Sequence, residues 1–138
     1  ASGACIVAKN INPKIQVIGV QAEKSPGAYL SWRQGELVEA PVQTAAEGLA
    51  TSQGYEFTQS ILKYFLDDFV LVSEKELDKA VILYLEKTHS LTEHAGASSL
   101  AAAIKIKDRL QGKKVALVVS GGNISRDQLR AALDMAGN

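Results

Sequence analysis

Apolar residues in this chain follow two patterns, short continuous runs and stripes at helical spacing. Three of the runs are rich in β-branched residues and cover residues 15–21, 69–72 and 115–119. Runs of this kind are typical of parallel strands that are buried on both faces. Between them, apolar residues recur every three or four positions, as they do in amphipathic helices. The alternation predicts an α/β fold with three layers, a parallel sheet with helices on both faces.

Local signals place the ends of the helices. Pro13 and Gly35 end two of them, and Ser73 with Glu76 has the spacing of a capping box. The predicted helices cover residues 4–11, 25–35, 55–66 and 93–112, with two more that begin at Ser73 and Ser125. The residues predicted to form apolar faces are Phe57, Ile61, Tyr64 and Phe65, then Leu77, Ala80, Val81 and Tyr84, and finally Leu129, Ala132 and Leu133.

Residues 36–54 form the longest stretch without a periodic pattern. They contain two glycines, one proline and several small polar residues. An irregular segment of this length is uncommon inside a compact domain unless it has a function. We therefore expect this stretch to take part in a site.

The composition predicts a single domain over residues 1–138, with neither a nucleic acid nor a membrane as partner. At 138 residues and 46% hydrophobic, the chain can bury one core and is short for two. Basic and acidic residues number 15 each, so no net field attracts nucleic acid or an anionic membrane. No apolar run approaches the roughly 20 residues of a membrane span, and no signal peptide is recognisable. The single cysteine, Cys5, indicates a small buried residue in a reducing, cytoplasmic setting.

The third apolar run leads directly into Ser120-Gly121-Gly122-Asn123. Two glycines let the backbone turn sharply, and they let a flat ligand approach closely. The serine offers one donor and two acceptor sites where a predicted strand ends. A ligand site and a plain tight turn both fit this pattern. The dinucleotide fingerprint does not fit, because its third glycine is absent.

Several blocks of the chain together resemble one enzyme family. Thr92-Glu93-His94-Ala95-Gly96-Ala97 precedes the serine-glycine loop, and Asp67-Asp68 precedes Val70-Leu71-Val72-Ser73-Glu74. Residues 12–23 form a further block. In their order along the chain these blocks resemble the threonine dehydratase and serine racemase branch of the fold type II pyridoxal-phosphate enzymes, which are similar to the tryptophan synthase β-subunit. The resemblance covers nearly the whole chain.

The resemblance implies pyridoxal 5'-phosphate as cofactor and gives five residues a place beside it. Ser120 would hydrogen-bond the pyridine nitrogen, Gly121 and Gly122 would leave room for the ring, and Asn123 would shape the pocket. Gly48 matches a position where the backbone lies near the cofactor's edge. A neutral hydroxyl does not hold the pyridine ring as a cation. The ring is then a weaker electron sink, which suits prompt loss of a β-hydroxyl.

Four further side chains have alternative interpretations. Glu93 matches a glutamate near the cofactor, and it could equally be the carboxylate that caps the following helix. Glu23 matches one ligand of a divalent cation bound by some relatives, but Tyr29 stands where the second carboxylate is expected, which leaves a poor site. His89 and His94 lack metal-pair spacing and are predicted to have ordinary helix-end or surface roles.

Other family features have no counterpart in this chain. These are the Schiff-base lysine, the substrate-carboxylate loop and the glycine-rich phosphate loop. Lys9 and Lys14 match ordinary surface positions of the family. The resemblance therefore implies that residues 1–138 are the C-terminal part of the large, cofactor-binding domain, without the N-terminal half of the enzyme, and that they are inactive alone.

For the parent protein the resemblance implies an L-threonine or L-serine ammonia-lyase that forms a 2-oxo acid and ammonia from a small hydroxy amino acid. A serine racemase or a hydroxyaspartate dehydratase of the same branch is the alternative enzyme. A non-catalytic fragment or binding module is a different class, and a nucleotide-binding Rossmann unit is a further one. An uncovered sheet edge predicts a homo-oligomer, or pairing with the missing N-terminal half.

Overall fold

The structure, a computed structural model, describes residues 1–136. Gly137 and Asn138, the last residues of the predicted domain, lie outside the described residues. The elements, in chain order, are α1 (Ser2–Ile11), β1 (Ile18–Ala22), α2 (Gly27–Gln34), a 3-10 turn (Glu47–Leu49), α3 (Glu56–Phe65), β2 (Asp68–Val72), α4 (Glu74–Thr88), α5 (His94–Lys105), α6 (Lys107–Leu110) and α7 (Arg126–Ala136).

Strands β1 and β2 form a parallel pair, as the apolar runs predict. Ile18 lies opposite Asp68, and Ala22 lies opposite Val72. The backbone N–H of Glu23 then donates to the carbonyl oxygen of Val72 at 2.8 Å, just past the end of β1. Both strands therefore end side by side, at one edge of the sheet.

The third predicted strand, residues 115–119, is not part of this sheet. Within residues 1–136 the sheet has only β1 and β2, and the third run takes no part in a ladder. Val115, Leu117, Val118 and Val119 are between 36% and 69% exposed. A strand needs hydrogen-bonded neighbours and covered faces. The described residues supply one contact to its backbone, from Ser99 Oγ to the carbonyl oxygen of Val118 at 2.8 Å.

Helices cover both faces of the two-stranded sheet, as predicted. Val70 and Val72 face a core that includes residues of α4 and α5, while Phe69 faces a second core built on α1 and α3. Successive strand residues point to opposite faces, which explains this division. Cys5 lies fully buried in the second core, as the sequence predicts for a small apolar residue.

The capping box at the start of α4 is confirmed in both halves. Ser73 Oγ accepts from the backbone N–H of Glu76 at 3.3 Å, and Glu76 Oε2 accepts from the backbone N–H of Ser73 at 2.7 Å. These bonds satisfy backbone donors that a helix start leaves unpaired. The helix then buries the four residues predicted for its inner face, Leu77, Ala80, Val81 and Tyr84.

The predicted apolar face of α3 is wrong for two of its four residues, while Ile61 and Phe65 are half-buried and Phe65 packs against the second core. Phe57 and Tyr64 are 77% and 80% exposed, whereas Leu62 and Leu66 are buried against α1 and the sheet. Spacing alone marks a stripe of apolar residues, and here the aliphatic stripe is the one that packs. Leu133 of α7 was also predicted inward and is 47% exposed.

The ion pair between Lys9 and Asp67 fixes α1 to the start of β2. Lys9 Nζ lies 2.7 Å from Asp67 Oδ2, which also accepts from the backbone N–H of Val17 at 2.7 Å. Burial raises the pKa of the Asp67 carboxyl, but the hydrogen bonds from Lys9 and Val17 outweigh burial and the net pKa is lowered. The stabilisation is therefore present above the unfolded-state pKa and is lost as the pH falls through the folded-state pKa.

We expect Asp67→Asn to lower the free energy of unfolding by about 1 kcal/mol at pH 7 and by much less at an acid pH below the lowered folded-state pKa of Asp67. Urea denaturation at the two pH values measures this difference. Asp127→Asn is the control, because Asp127 is 95% exposed and pairs with Arg130 only at 3.8 Å. An equal loss at both pH values contradicts the prediction.

Candidate functional site

The loop of residues 120–123 lies directly against the start of α5. The backbone N–H of Glu93 donates to the carbonyl oxygen of Gly121 at 3.1 Å. One turn further on, a Cβ atom at Gly96 would overlap that same carbonyl oxygen. The absence of a side chain at Gly96 therefore lets the loop approach α5 this closely.

The carboxylate of Glu93 lies over the loop. A Cβ atom at Gly121 would overlap Glu93 Oε1, and a Cβ atom at Gly48 would lie 3.9 Å from the same oxygen. Glu93 is the N-cap residue of α5, but its side chain makes no capping hydrogen bond. Glu93 therefore occupies the N-cap position that the capping interpretation predicts, but without a side-chain hydrogen bond to the helix, and its carboxylate faces the loop instead.

Gly121, Gly122 and Gly48 have other residues of this chain directly beside their α-carbons, so a side chain at these positions would clash. A Cβ atom at Gly122 would lie 2.8 Å from the carbonyl oxygen of Leu91, and one at Gly48 would lie 2.9 Å from the Cβ atom of Ala95. The sequence suggested room for a ligand as the reason for Gly121 and Gly122. In the structure, the space next to their α-carbons is filled by Glu93 and Leu91.

The structure brings together most of the predicted site residues. Gly48, Glu93 and the 120–123 loop meet at the start of α5, where Glu93 and Asn123 line a shallow recess. Ser120 is an exposed residue of the same loop, but it is not among the residues that line the recess. Glu23 does not lie with this group. It contacts Lys105 at 2.9 Å instead.

Sequence reasoning missed a buried contact next to the recess. His94 is 4% exposed, and its Nε2 lies 2.9 Å from Asp78 Oδ1 on α4. The predicted helix-end role of His94 is confirmed, since it is the first residue of α5, but it is not a surface residue. The available signal was that Asp78 directly follows Leu77, at the edge of the buried face of α4.

The irregular stretch before α3 supplies one wall of the recess. Glu74, in the first turn of α4, accepts from Thr44 Oγ1 at 2.7 Å and from the backbone N–H of Ala45 at 2.9 Å. Gln128 Nε2 of α7 donates to the carbonyl oxygen of Ala45 at 3.4 Å. These contacts fix the backbone just before Gly48, so α4 and α7 position this part of the site.

His89 and the possible metal site lie outside this arrangement. His89 ends α4 in the left-handed conformation, with φ of 54°, which confirms its predicted helix-end role. Among the residues that the structure describes, no group of three or more His, Cys, Asp or Glu could hold a metal ion. None of the helices within residues 1–136 is long and apolar enough to cross a membrane.

Comparison with known families decides which family this arrangement belongs to. The profile described as pyridoxal-phosphate dependent enzyme matches residues 1–121. The chain belongs to this family. The match ends at Gly121, inside the loop that lies against Glu93 and Gly96.

Relatives of known activity and structure narrow the branch of the family. The L-threonine ammonia-lyase of Thermotoga maritima is 40% identical over 125 residues, which are 89% of this chain and 31% of that protein. The serine racemase structure from Dictyostelium discoideum matches with a TM-score of 0.81 at 36% identity, over 90% of this chain and 40% of that one. The processed form of threonine deaminase isoform 2 from Solanum lycopersicum matches with a TM-score of 0.90 at 26% identity, over 99% and 41%.

These likenesses show that the chain is related to the threonine dehydratase and serine racemase branch of the pyridoxal-phosphate enzymes. The chain spans between about a third and two-fifths of the length of these relatives. Its two-stranded sheet and surrounding helices therefore correspond to one part of their structures.

Proposed function

We propose that this chain forms part of the cofactor site of a pyridoxal-phosphate-dependent enzyme that deaminates L-threonine or L-serine to a 2-oxo acid and ammonia. The main support for the proposal is the close contact of the 120–123 loop with Glu93 and Gly96, in a chain that belongs to this family. The printed activities of its relatives, threonine ammonia-lyase and threonine deaminase, support the choice of reaction.

The residues at the loop fit pyridoxal 5'-phosphate by their chemistry. Ser120 is an exposed residue that directly follows the apolar run, and its hydroxyl would hydrogen-bond the pyridine nitrogen. Gly48 and Asn123 would border the ring, with the Glu93 carboxylate above the loop. When bound, the cofactor withdraws electrons from the substrate's α-carbon. A neutral serine leaves the pyridine uncharged. The ring is then a weaker electron sink, which favours prompt loss of a β-hydroxyl group from the substrate.

The proposal assigns the covalent attachment of the cofactor to another part of the protein. No lysine is among the described residues that line the recess. Lys9, the lysine of α1, has its ammonium 2.7 Å from the Asp67 carboxylate on the other face of the sheet, where it has a structural role. A lysine from outside this chain would have to reach the substrate.

The exposed run at residues 115–119 is the surface through which that other part would join. Val118 and its neighbours have exposed apolar side chains and take no part in a ladder within residues 1–136. A segment with unpaired backbone N–H and C=O groups can accept another strand. The matched region is between 31% and 41% of the relatives' lengths, so the partner proposed is the remaining portion of the same cytoplasmic protein. Self-association of two copies is the alternative when that portion is missing.

The experiment compares this chain with the full polypeptide encoded by its gene. After incubation with pyridoxal phosphate and reduction with borohydride, peptide mass spectrometry should find no specifically labelled lysine in residues 1–138 and one labelled lysine in the full polypeptide. The full polypeptide should convert L-threonine or L-serine to 2-oxo acid. Release of D-serine would favour a serine racemase. Formation of oxaloacetate from hydroxyaspartate would favour a hydroxyaspartate dehydratase.

Substitution of Ser120 tests the site within that experiment. We expect Ser120→Ala to lower kcat/KM of the full polypeptide about tenfold, because one hydrogen bond to the cofactor is lost. Ser60→Ala is the matched control, since the Ser60 hydroxyl bonds only within α3, to the carbonyl oxygen of Phe57 at 2.8 Å. A full polypeptide that labels no lysine and turns over none of these substrates would support a non-catalytic binding module instead.

A further inference from the structure

The ammonium group of Lys105 connects the ends of three elements at the carboxyl ends of β1 and β2. Lys105 Nζ, at the end of α5, lies 2.9 Å from Glu23 Oε1 and 3.1 Å from Glu76 Oε2. Glu23 directly follows β1, and Glu76 lies in the first turn of α4, just after β2. The ammonium offsets the repulsion between these two carboxylates, because it pairs with an oxygen of each.

The carboxylate of Glu76 is held in place from several sides. Its Oε2 accepts from the backbone N–H of Ser73 at 2.7 Å, from Ser73 Oγ at 2.9 Å and from Lys105. Burial raises the pKa of Glu76, but these hydrogen bonds outweigh it and the net pKa is lowered. Burial lowers the pKa of Lys105, and its hydrogen bonds to the two carboxylates raise it above the usual value. Both groups therefore carry their charges at neutral pH.

Tyr29, in the first turn of α2, also lies beside a cationic side chain. Arg33 Nη1 donates to the hydroxyl oxygen of Tyr29 at 2.6 Å, and the guanidinium lies 5.9 Å from the centre of the Tyr29 ring. A hard divalent cation takes six to eight oxygen ligands. Between Glu23 and Tyr29 it would find one carboxylate that is already paired and an oxygen next to a guanidinium. These residues do not fit a metal ion.

We propose that the Lys105 ammonium is a built-in replacement for a bound cation, and that it fixes the turn of residues 23–29 to α4 without a metal. The same first turn of α4 carries Glu74, which holds Thr44 and Ala45 beside the recess. The ammonium therefore helps to set the position of the loop that contains Gly48. This inference does not depend on the proposed enzymatic reaction.

The test measures the melting temperature of the chain with and without divalent cations. Wild type should melt at the same temperature in EDTA and in millimolar Mg²⁺, Ca²⁺ or Mn²⁺ at constant ionic strength. Lys105→Met should lower the melting temperature by about 2–6 °C, since two ion pairs are lost. The two carboxylates of this variant are left without a cation, so millimolar Ca²⁺ or Mn²⁺ should restore at least part of the loss.

Two controls make the result specific. Lys107→Met removes an exposed lysine two residues further on, for which the described part of the chain shows no ion pair. It should change neither the melting temperature nor its response to cations. The proposal is overturned if Lys105→Met responds to cations no more than Lys107→Met does. It is equally overturned if cations stabilise wild type and Glu23→Gln abolishes that gain.

Discussion

Replacing Gly96 by alanine is expected to push the 120–123 loop away from α5 and to destabilise the chain. A Cβ atom at Gly96 would overlap the carbonyl oxygen of Gly121 and lie 3.0 Å from its backbone nitrogen. Backbone atoms cannot rotate away as a side chain can, so the loop must shift as a whole. Overpacking of this kind costs about 1–3 kcal/mol. The gain in helix propensity from glycine to alanine, about 1 kcal/mol, offsets only part of this cost.

Two measurements separate the loop's displacement from a general loss of stability. Denaturant unfolding should give a net loss of up to about 2 kcal/mol for Gly96→Ala. Native-state hydrogen exchange should show faster exchange of the Glu93 amide, because its bond to the Gly121 carbonyl oxygen is lost.

Gly3→Ala is the matched control for the substitution of a helical glycine. Gly3 lies in the first turn of α1, and a Cβ atom there would have no neighbour within 4 Å. The control should stabilise the chain by up to about 1 kcal/mol and leave Glu93 exchange unchanged. If Gly96→Ala behaves like Gly3→Ala in both measurements, then the loop does not pack on α5 as described.

The features that were predicted correctly from the sequence are those that depend on neighbouring residues in the chain. The capping box at Ser73 and Glu76 and the glycine that ends α2 depend on a few neighbouring residues, and both are found in the structure. Gly35 has a φ of 77°, a conformation that favours glycine. The meeting of Glu93 with Ser120–Asn123 followed from the family resemblance, since these segments are far apart in the chain.

The predictions that were wrong concern packing between segments that are distant in the sequence. Residues 115–119 have the composition of a buried strand, but composition cannot say whether the neighbouring strands are in the same chain. The exposed Phe57 and the buried Leu62 of α3 show the same limit, because both lie on apolar stripes and the position of α1 decides between them. The contact of Lys105 with Glu23 joins residues 82 positions apart, and nothing local marks it.

The contact between His94 and Asp78 is expected to stabilise the start of α5, and with it the candidate site. His94 immediately follows Glu93, and its Nε2 donates to Asp78 Oδ1 at 2.9 Å from a position that is 4% exposed. His94→Leu leaves the carboxylate without its donor, and Asp78→Ala leaves the buried ring nitrogen without its acceptor. Each change should lower the free energy of unfolding by about 1–3 kcal/mol, the cost of a buried polar group without a partner.

A double-mutant cycle separates the contact from the packing of the two side chains. The double variant should lose less stability than the sum of the single losses, with a coupling of at least about 0.5–1 kcal/mol. Arg130 and Asp127 provide the control cycle, since they are 3.8 Å apart and 75% and 95% exposed, so their coupling should be near zero. A His94–Asp78 coupling no larger than the control would mean that the first turn of α5, which carries Glu93, is held by packing alone.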